Sequence, residues 1–190
     1  METQQPQSPS SPQGPQIQPP VYDPAAMAEM ERRTAVMNVA RQVKSGASNF
    51  YWIAGLSVIN SLVTIFGGGF YFVMGLGVTL VIDSVAKGIS EELGGNPVLL
   101  GMGFLFSLVF DLIFVGLGYF AVKGRRWAFI AGMVLYGLDA VLMLVFQDWL
   151  GFGFHLFFMW GIWQGLNALG RLKALEPKNP MAVPPAETMR

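Results

Sequence analysis

Long stretches without charge constrain this chain more than any other feature of its sequence. Residues 49–82 form a run of 34 residues without one charged side chain. Three further apolar runs follow, each with at most one acidic residue: 98–122, 127–146 and 149–170. Charged residues make up 13% of the chain, against roughly 25% in soluble domains. The sequence therefore predicts a helical protein whose surface faces lipid.

The first run is too long for one membrane crossing. As a single helix it would extend about 51 Å, whereas the hydrocarbon core of a bilayer is about 30 Å thick. Three consecutive glycines, 67–69, interrupt it. We therefore predict one span at about 49–66 and a separate interfacial or re-entrant helix at about 70–90. That helix would lie on the outer face with Asp83 and Lys87 in water.

The distribution of Lys and Arg selects the number of spans. With four spans and a cytoplasmic N-terminus, all of the 12 Lys and Arg except Lys87 lie on the cytoplasmic side. With five spans, the basic turn at 123–126 and the C-terminal cations move outside, against the positive-inside rule. We therefore predict an all-α membrane protein, a four-transmembrane-helix bundle with both termini in the cytoplasm. The predicted spans are about 49–66, 98–122, 127–146 and 149–170.

The flanking segments differ in composition from this membrane domain, which is predicted at 48–172. Residues 1–22 are rich in Pro, Gln and Ser, lack the pattern of a cleavable signal peptide, and predict a disordered tail. Residues 23–47 have helical spacing with several cations, which favours an amphipathic helix on the cytoplasmic leaflet or a solvated lead-in. Residues 173–190 are a second predicted disordered tail.

The composition also narrows the chemistry. The chain has no cysteine, one histidine (His155) and no net charge, so we predict no metal site, no cofactor and no nucleic-acid partner. No nucleophile motif accompanies His155, which we interpret as a hydrogen-bonded packing residue near the outer surface. The expected partners are the lipid bilayer and either further copies of the chain or other membrane proteins.

Three polar residues fall near the middle of their predicted spans. Asp111 and Asp139 lie about 17 Å from the cytoplasmic ends of their helices, and Asn60 reaches a similar depth. A charge at that depth costs at least about 2.5–3.5 kcal/mol, so these residues are the candidate site. Secondary polar candidates are Ser57, Ser61, Thr64, Tyr136 and His155.

This midplane cluster has two interpretations. The functional one is a proton or ion relay, or a pair of catalytic carboxyl groups. In the structural one, protonated aspartates form hydrogen bonds with Asn60, Ser61 or Tyr136 and fix the order of the helices. The sequence leaves both open and identifies no catalytic residue.

Paired aspartates also suggest an intramembrane aspartyl hydrolase. Such enzymes carry one Asp after Tyr and another in a Gly-x-Gly-Asp context. Here the corresponding stretches are Val109-Phe110-Asp111 and Tyr136-Gly137-Leu138-Asp139. The first lacks the Tyr and the second lacks the Gly before Asp, so this function is a remote alternative.

Gly161 and Gly165 form a pair of small residues four positions apart in the last span. Such a pair lets two helix backbones approach closely. It indicates packing within the bundle more often than dimerisation.

Three stretches carry a resemblance to known proteins: 50–61, Gly124-Arg-Arg-Trp-Ala-Phe-Ile130 and Phe146-Gln-Asp-Trp149. Over about residues 44–173 the chain resembles small bacterial multi-pass membrane proteins of unassigned function. The resemblance implies a location in the bacterial cytoplasmic membrane and carries no catalytic motif. We expect a non-enzymatic scaffold, accessory or partner-binding protein, with a small transporter or channel that uses the midplane cluster as the alternative.

Overall fold

The computed structural model describes residues 23–66 and 75–175. Over these residues the chain forms five α-helices and no strand. In chain order they are α1 (Pro24–Ile65), α2 (Gly77–Glu92), α3 (Pro97–Val122), α4 (Arg126–Val145) and α5 (Trp149–Leu175).

Three helices begin at side chains that accept a hydrogen bond from the first turn. The Asp23 carboxylate accepts from the Ala25 amide at 2.9 Å, and the Asn96 side-chain oxygen accepts from the Val98 amide at 3.0 Å. Pro24 and Pro97 follow these caps at the first helical position, which needs no amide donor. Asp148 accepts from Gly151 at 2.8 Å at the start of α5.

Helix α1 corrects one predicted boundary. A surface helix at 23–47 and a span at 49–66 were expected as separate elements, but the structure has one continuous helix of 42 residues. No Gly pair or Pro stands between the two segments to break it. The helix is about 63 Å long at 1.5 Å per residue. Residues 23–35 are exposed, although Arg32 donates to the Leu175 carbonyl at the end of α5, so the first turns of α1 lie outside the core.

Helices α2, α3 and α5 pack on α1, which contacts α3 and α5 most extensively, whereas α4 packs mainly on α5. The α1–α5 contact depends on small residues: a Cβ atom at Gly46 would overlap the Gly165 Cα atom and approach the Gly161 carbonyl to 3.0 Å. The predicted internal packing role of Gly161 and Gly165 is thereby confirmed. Beside this contact, Phe50 packs between Phe114 and Phe129, with ring centroids 6.2 Å apart in each pair. Contacts between α3 and α4 are sparser.

Helix α2 lies parallel to α1 where the two meet. Ser57 contacts Thr79 and Ser61 contacts Asp83, and both pairs are separated by 22 residues. The separation stays at 22 residues from one turn of α1 to the next, so the two helices run in the same direction. A Cβ atom at Gly75, just before α2, would lie 2.6 Å from the Asn60 side-chain nitrogen. The chain thus enters α2 beside the middle of the second half of α1, not beside its end.

The predicted helix at 70–90 is observed from Gly77 to Glu92, and residues 67–74 lie outside the described part of the chain. Helices α3 and α4 are each long and apolar enough to cross a membrane. Most of their apolar side chains are exposed, including Leu105, Leu112 and Leu138. The protein is therefore all-helical with two candidate membrane spans, and the four-span arrangement goes beyond this finding.

Candidate functional site

Each of the five helices contributes buried polar side chains to the interior of the fold. The buried polar residues that matter here are Ser57, Asn60 and Ser61 on α1, Thr79 and Asp83 on α2, Ser107 and Asp111 on α3, Asp139 on α4, and His155 on α5. Three carboxyl groups and one imidazole are thus enclosed by a shell that is mostly apolar. A buried polar group costs free energy unless it is hydrogen-bonded. Each of these side chains should therefore have a hydrogen-bond partner, and one without a partner is a candidate for a functional role.

Asp83 corrects the prediction that it lies in water. Its exposed fraction is 4%, and its carboxylate accepts hydrogen bonds from Ser61 at 2.5 Å and from Ser107 at 2.8 Å. The spacing of Thr79, Asp83 and Lys87 by four residues places them on one face of α2. At Asp83 this face packs against α1 and α3. Protein hydroxyl groups, and not water, therefore donate the hydrogen bonds to this carboxylate.

Ser57 and Thr79 connect the same two helices one turn away. The Thr79 hydroxyl donates to the Leu76 carbonyl at 2.7 Å. A hydroxyl has a single hydrogen, so in the 2.7 Å contact between Ser57 and Thr79 the Ser57 hydroxyl is the donor. Both side chains are fully buried. Helices α1, α2 and α3 are therefore joined at Asp83 and Thr79 by a set of hydroxyl groups that we call the hydroxyl ladder. Its members are Ser57, Ser61, Thr79 and Ser107.

Asp111 differs from every other buried acid in the described residues. Its exposed fraction is 2%, and neither carboxyl oxygen has a hydrogen-bond partner among those residues. The Ser57 side chain and the Asp83 carboxylate lie near it, beside the hydroxyl ladder. The predicted midplane position is thus in the interior, but the expected hydrogen bonds to Asn60, Ser61 or Tyr136 are absent there.

Asp139, in contrast, holds the start of α2. One carboxyl oxygen accepts from the Gly77 amide and the other from the Val78 amide, each at 2.8 Å. The amides in the first turn of a helix have no partner within the helix, and the helix dipole favours negative charge there. A carboxyl group on α4 therefore caps α2, although Asp139 and Gly77 are 62 residues apart in the sequence.

His155 completes this arrangement and fixes one proton. Its Nδ1 atom lies 2.7 Å from the Gly151 carbonyl, which can only accept, so Nδ1 carries a hydrogen. Its Nε2 atom lies 2.8 Å from the Asp139 carboxyl. Two acceptors cannot share that contact, so one proton lies between Asp139 and His155, on either partner.

The Tyr136 ring stacks on His155, with centroids 4.4 Å apart and planes 20° from parallel. Its hydroxyl is buried without a hydrogen-bond partner among the described residues. The structural interpretation in which Tyr136 binds an aspartate is therefore wrong for this contact. His155 is fully buried, with hydrogen-bond contacts through both ring nitrogens, as expected for a hydrogen-bonded packing residue.

The remaining predicted residues divide between the interior and its border. Asn60 is fully buried and lies beside Gly75. Thr64 is only half-buried, and its hydroxyl donates to the Asn60 carbonyl at 3.1 Å within α1. Thr79, Asp83 and Ser107 were not predicted as site residues. The four-residue spacing on α2 was the signal that could have identified the first two.

The site offers acids and hydroxyls without a multidentate metal centre. Among residues 23–66 and 75–175, no group of three or more His, Asp or Glu side chains is arranged to hold a metal ion. The acids are distributed in two places: Asp83 and Asp111 beside the hydroxyl ladder, and Asp139 with His155. This arrangement can hold and pass protons.

The fold and the site define an all-helical protein with candidate membrane spans and a buried acidic interior. The chain matches no protein-family model, no curated protein and no solved structure at significant similarity.

Proposed function

We propose that this protein is a small membrane transporter or channel that moves protons through its buried acids, with Asp111 as the group that binds and releases the proton. The observation that carries the proposal is the Asp111 carboxyl, which is 2% exposed and has no hydrogen-bond partner among the described residues. An ionisable side chain inside a membrane segment is costly and is most often functional.

The surroundings of Asp111 favour a proton over a metal cation. A bound cation needs several oxygen ligands at once, whereas neither carboxyl oxygen of Asp111 has a hydrogen-bond partner among the described residues. An uncompensated charge in such a place is costly, so the neutral, protonated form is the resting state. Asp83, to which the hydroxyls of Ser61 and Ser107 donate, is the neighbouring acid towards which the proton would move.

The position of α2 supports the same function. Its first turn starts in the interior at Asp139, and it advances parallel to α1. Helices that begin partway through a membrane domain are typical of transporters, where their polar ends line the pathway. In this proposal α2 is a re-entrant helix, which agrees with the sequence-based expectation for this segment.

The proposed topology has four spans in the bacterial cytoplasmic membrane, with both termini in the cytoplasm. The charge asymmetry supports it, because the turn with Lys123, Arg125 and Arg126 would otherwise cross an energised membrane. The native chain has no cysteine, so single cysteines report accessibility. Glu92→Cys, at an exposed position, should react with an impermeant maleimide in intact cells. Reaction only after permeabilisation would overturn the topology.

The functional test is proton movement in proteoliposomes that contain a pH-sensitive dye. An imposed potential should drive proton uptake with the natural chain, and Asp111→Asn should abolish it because an amide cannot exchange a proton. Asp148→Asn is the matched control, since Asp148 caps α5 and lies outside the buried cluster. Absence of uptake with the natural chain, or equal uptake with Asp111→Asn, would refute the proposal.

A second candidate function, scaffold or partner binding, is favoured by the exposed N-terminal part of α1. Its exposed surface carries Met27, Met30 and Met37, and flexible apolar side chains of this kind suit adaptable binding surfaces. In the same part of α1, the hydrogen bond from Arg33 lowers the pKa of Glu29, which keeps that side chain ionised. The occupant would be another copy of the chain or another membrane protein.

Cross-linking distinguishes this candidate from proton transport. A photoreactive amino acid at position 30 should form an adduct in cells with a defined partner, whereas one at Val134, which faces outward on α4, should give lipid adducts. Identical adducts at the two positions would argue against a partner-binding role for α1. A hydrolase is less well supported, because Asp139 is bound to His155 and to the start of α2.

A further inference from the structure

A cavity of about 300 Å³ lies between α3 and α4 and reaches the start of α2. Its walls are apolar, and Asp139 is the one lining residue with a polar side chain. The lining residues are Leu76, Val78, Phe110, Ile113, Phe114, Leu135, Leu138, Asp139 and Leu142. Several of them, including Ile113 and Leu138, are also exposed on the outer surface of the two helices. The cavity is therefore reached from the side of the protein, between the two helices that could span a membrane.

The volume and chemistry of this cavity are those of a small ligand site. Ligand pockets begin at about 300 Å³ and combine an apolar lining with a few placed polar groups. The sparse contact between α3 and α4 leaves the space open. In a bilayer, hydrocarbon and not water lies outside the opening, so the entering molecule comes from the lipid phase.

Asp139 keeps room for one more donor. A carboxyl group offers about four acceptor sites. Three are used: one oxygen accepts from Gly77 and contacts His155, and the other accepts from Val78. The unused site belongs to the oxygen that binds Val78, a residue that itself lines the cavity.

The ligand's polar group must be small and uncharged. Asp139 lies six residues before the end of α4 at Val145, about 9 Å along the helix axis. A charged headgroup would lose its water at that depth, whereas a single hydroxyl can enter if it finds an acceptor. Choline and phosphate headgroups do not meet these requirements, and a simple lipid alcohol does.

We propose that this cavity, lined by α3 and α4 and ended by Asp139, binds a long-chain alcohol from the bilayer, with its hydroxyl donating to Asp139. The alkyl chain gains little by leaving lipid for an equally apolar cavity. Selection therefore depends on the hydroxyl, which in hydrocarbon has no other acceptor as strong as a carboxyl group. The proposal requires α3 and α4 to be in a membrane and does not require proton transport.

The test uses the full chain in nanodiscs and hexadecanol that carries a diazirine in its chain. Photolabelling should fall on peptides from α3 and α4. It should exceed labelling by the matching methyl ether by about tenfold, which corresponds to about 1.4 kcal/mol and so to one hydrogen bond. Unlabelled hexadecanol should compete. Equal labelling by the alcohol and its ether, or labelling spread evenly over all helices, would overturn the proposal.

Two tryptophan variants localise the site. Leu138→Trp should fill the cavity and remove the excess labelling by the alcohol, whereas Val134→Trp should leave it unchanged, because Val134 is equally outward-facing one turn away but does not line the cavity. Thermal unfolding of both variants checks that they are folded. Persistent labelling of a folded Leu138→Trp variant would refute the proposal. Proton uptake by Leu138→Trp should be normal, so the two proposals can fail separately.

Discussion

Asp111 and Asp139 lie on neighbouring helices and both are buried, yet their surroundings differ completely. Asp139 is held by two backbone amides and by His155, and so connects α4 to α2 and α5. Asp111 has no hydrogen-bond partner among the described residues. The difference shows that burial of an acid does not define its role. The contacts of Asp139 are those of a structural anchor, whereas Asp111 has no such contacts and is the group to which we assign proton exchange.

The largest effect is expected for Asp139→Ala. This change leaves the amides of Gly77 and Val78 and the ring of His155 buried without an acceptor. We expect a loss of about 3–5 kcal/mol in the free energy of unfolding, as for removal of one partner from a buried pair. Thermal unfolding in mild detergent measures it. Asp111→Ala is the control, and equal losses in the two variants would remove the distinction between the two acids.

His155→Phe tests the contact between Asp139 and His155 by removing the partner on α5. Phenylalanine retains a ring to stack on Tyr136 but cannot reach Asp139 or the Gly151 carbonyl. We expect a loss of about 1.5–3 kcal/mol, the range for a hydrogen bond to a charged group. Thermal unfolding measures this loss. Stability equal to that of the natural chain would show that the contact contributes nothing.

Asp111→Leu should instead raise the free energy of unfolding. Leucine removes an unpartnered polar group and fills a similar volume, so we expect a gain of about 1–3 kcal/mol together with loss of proton uptake. The same substitution at Asp83 should destabilise the fold, because Ser61 and Ser107 would lose their acceptor. If both variants changed stability in the same direction, Asp111 would have a bonding role like that of Asp83.

Ser107→Ala should give the smallest effect. It removes one hydrogen bond to Asp83, while the bond from Ser61 is retained. We expect a loss of about 1 kcal/mol and slower proton uptake, since one hydroxyl of the ladder is missing. Ser48→Ala, on the part-exposed side of α1, should change neither quantity. Uptake unchanged by Ser107→Ala would exclude this hydroxyl from the route.

The helices themselves follow closely from the sequence. Caps at Asp23 and Asn96, each followed by proline, locate two helix starts, and the apolar runs locate α3 to α5. The boundary proposed within α1 was wrong because a change from charged to apolar composition does not interrupt helical hydrogen bonding. Composition reports the solvent around a helix, whereas only glycine, proline or a cap ends it.

The candidate site was less predictable. Depth along the apolar runs identified Asp111, Asp139 and Asn60 as interior residues, and all three are buried. The partners could not be deduced, because they depend on how α2 folds back into the bundle, which single-sequence patterns do not encode. Asp83 was misplaced for the same reason: its amphipathic spacing indicated a face but not which side that face turns to.

The close contact between Gly46 and Gly165 fixes the distance between α1 and α5. Towards the N-terminus of α1 the two helices stay together, because Arg171 donates to Gln42 and Arg32 donates to the Leu175 carbonyl. Helix α1 is unbroken from Gly46 to Ser61, about 22 Å away, so it transmits a displacement at Gly46 to Ser57 and Ser61. A shift of about 1 Å is enough to lengthen both serine hydrogen bonds to α2 beyond their normal range. A larger side chain at position 46 would thereby disturb the hydroxyl ladder beside Asp111.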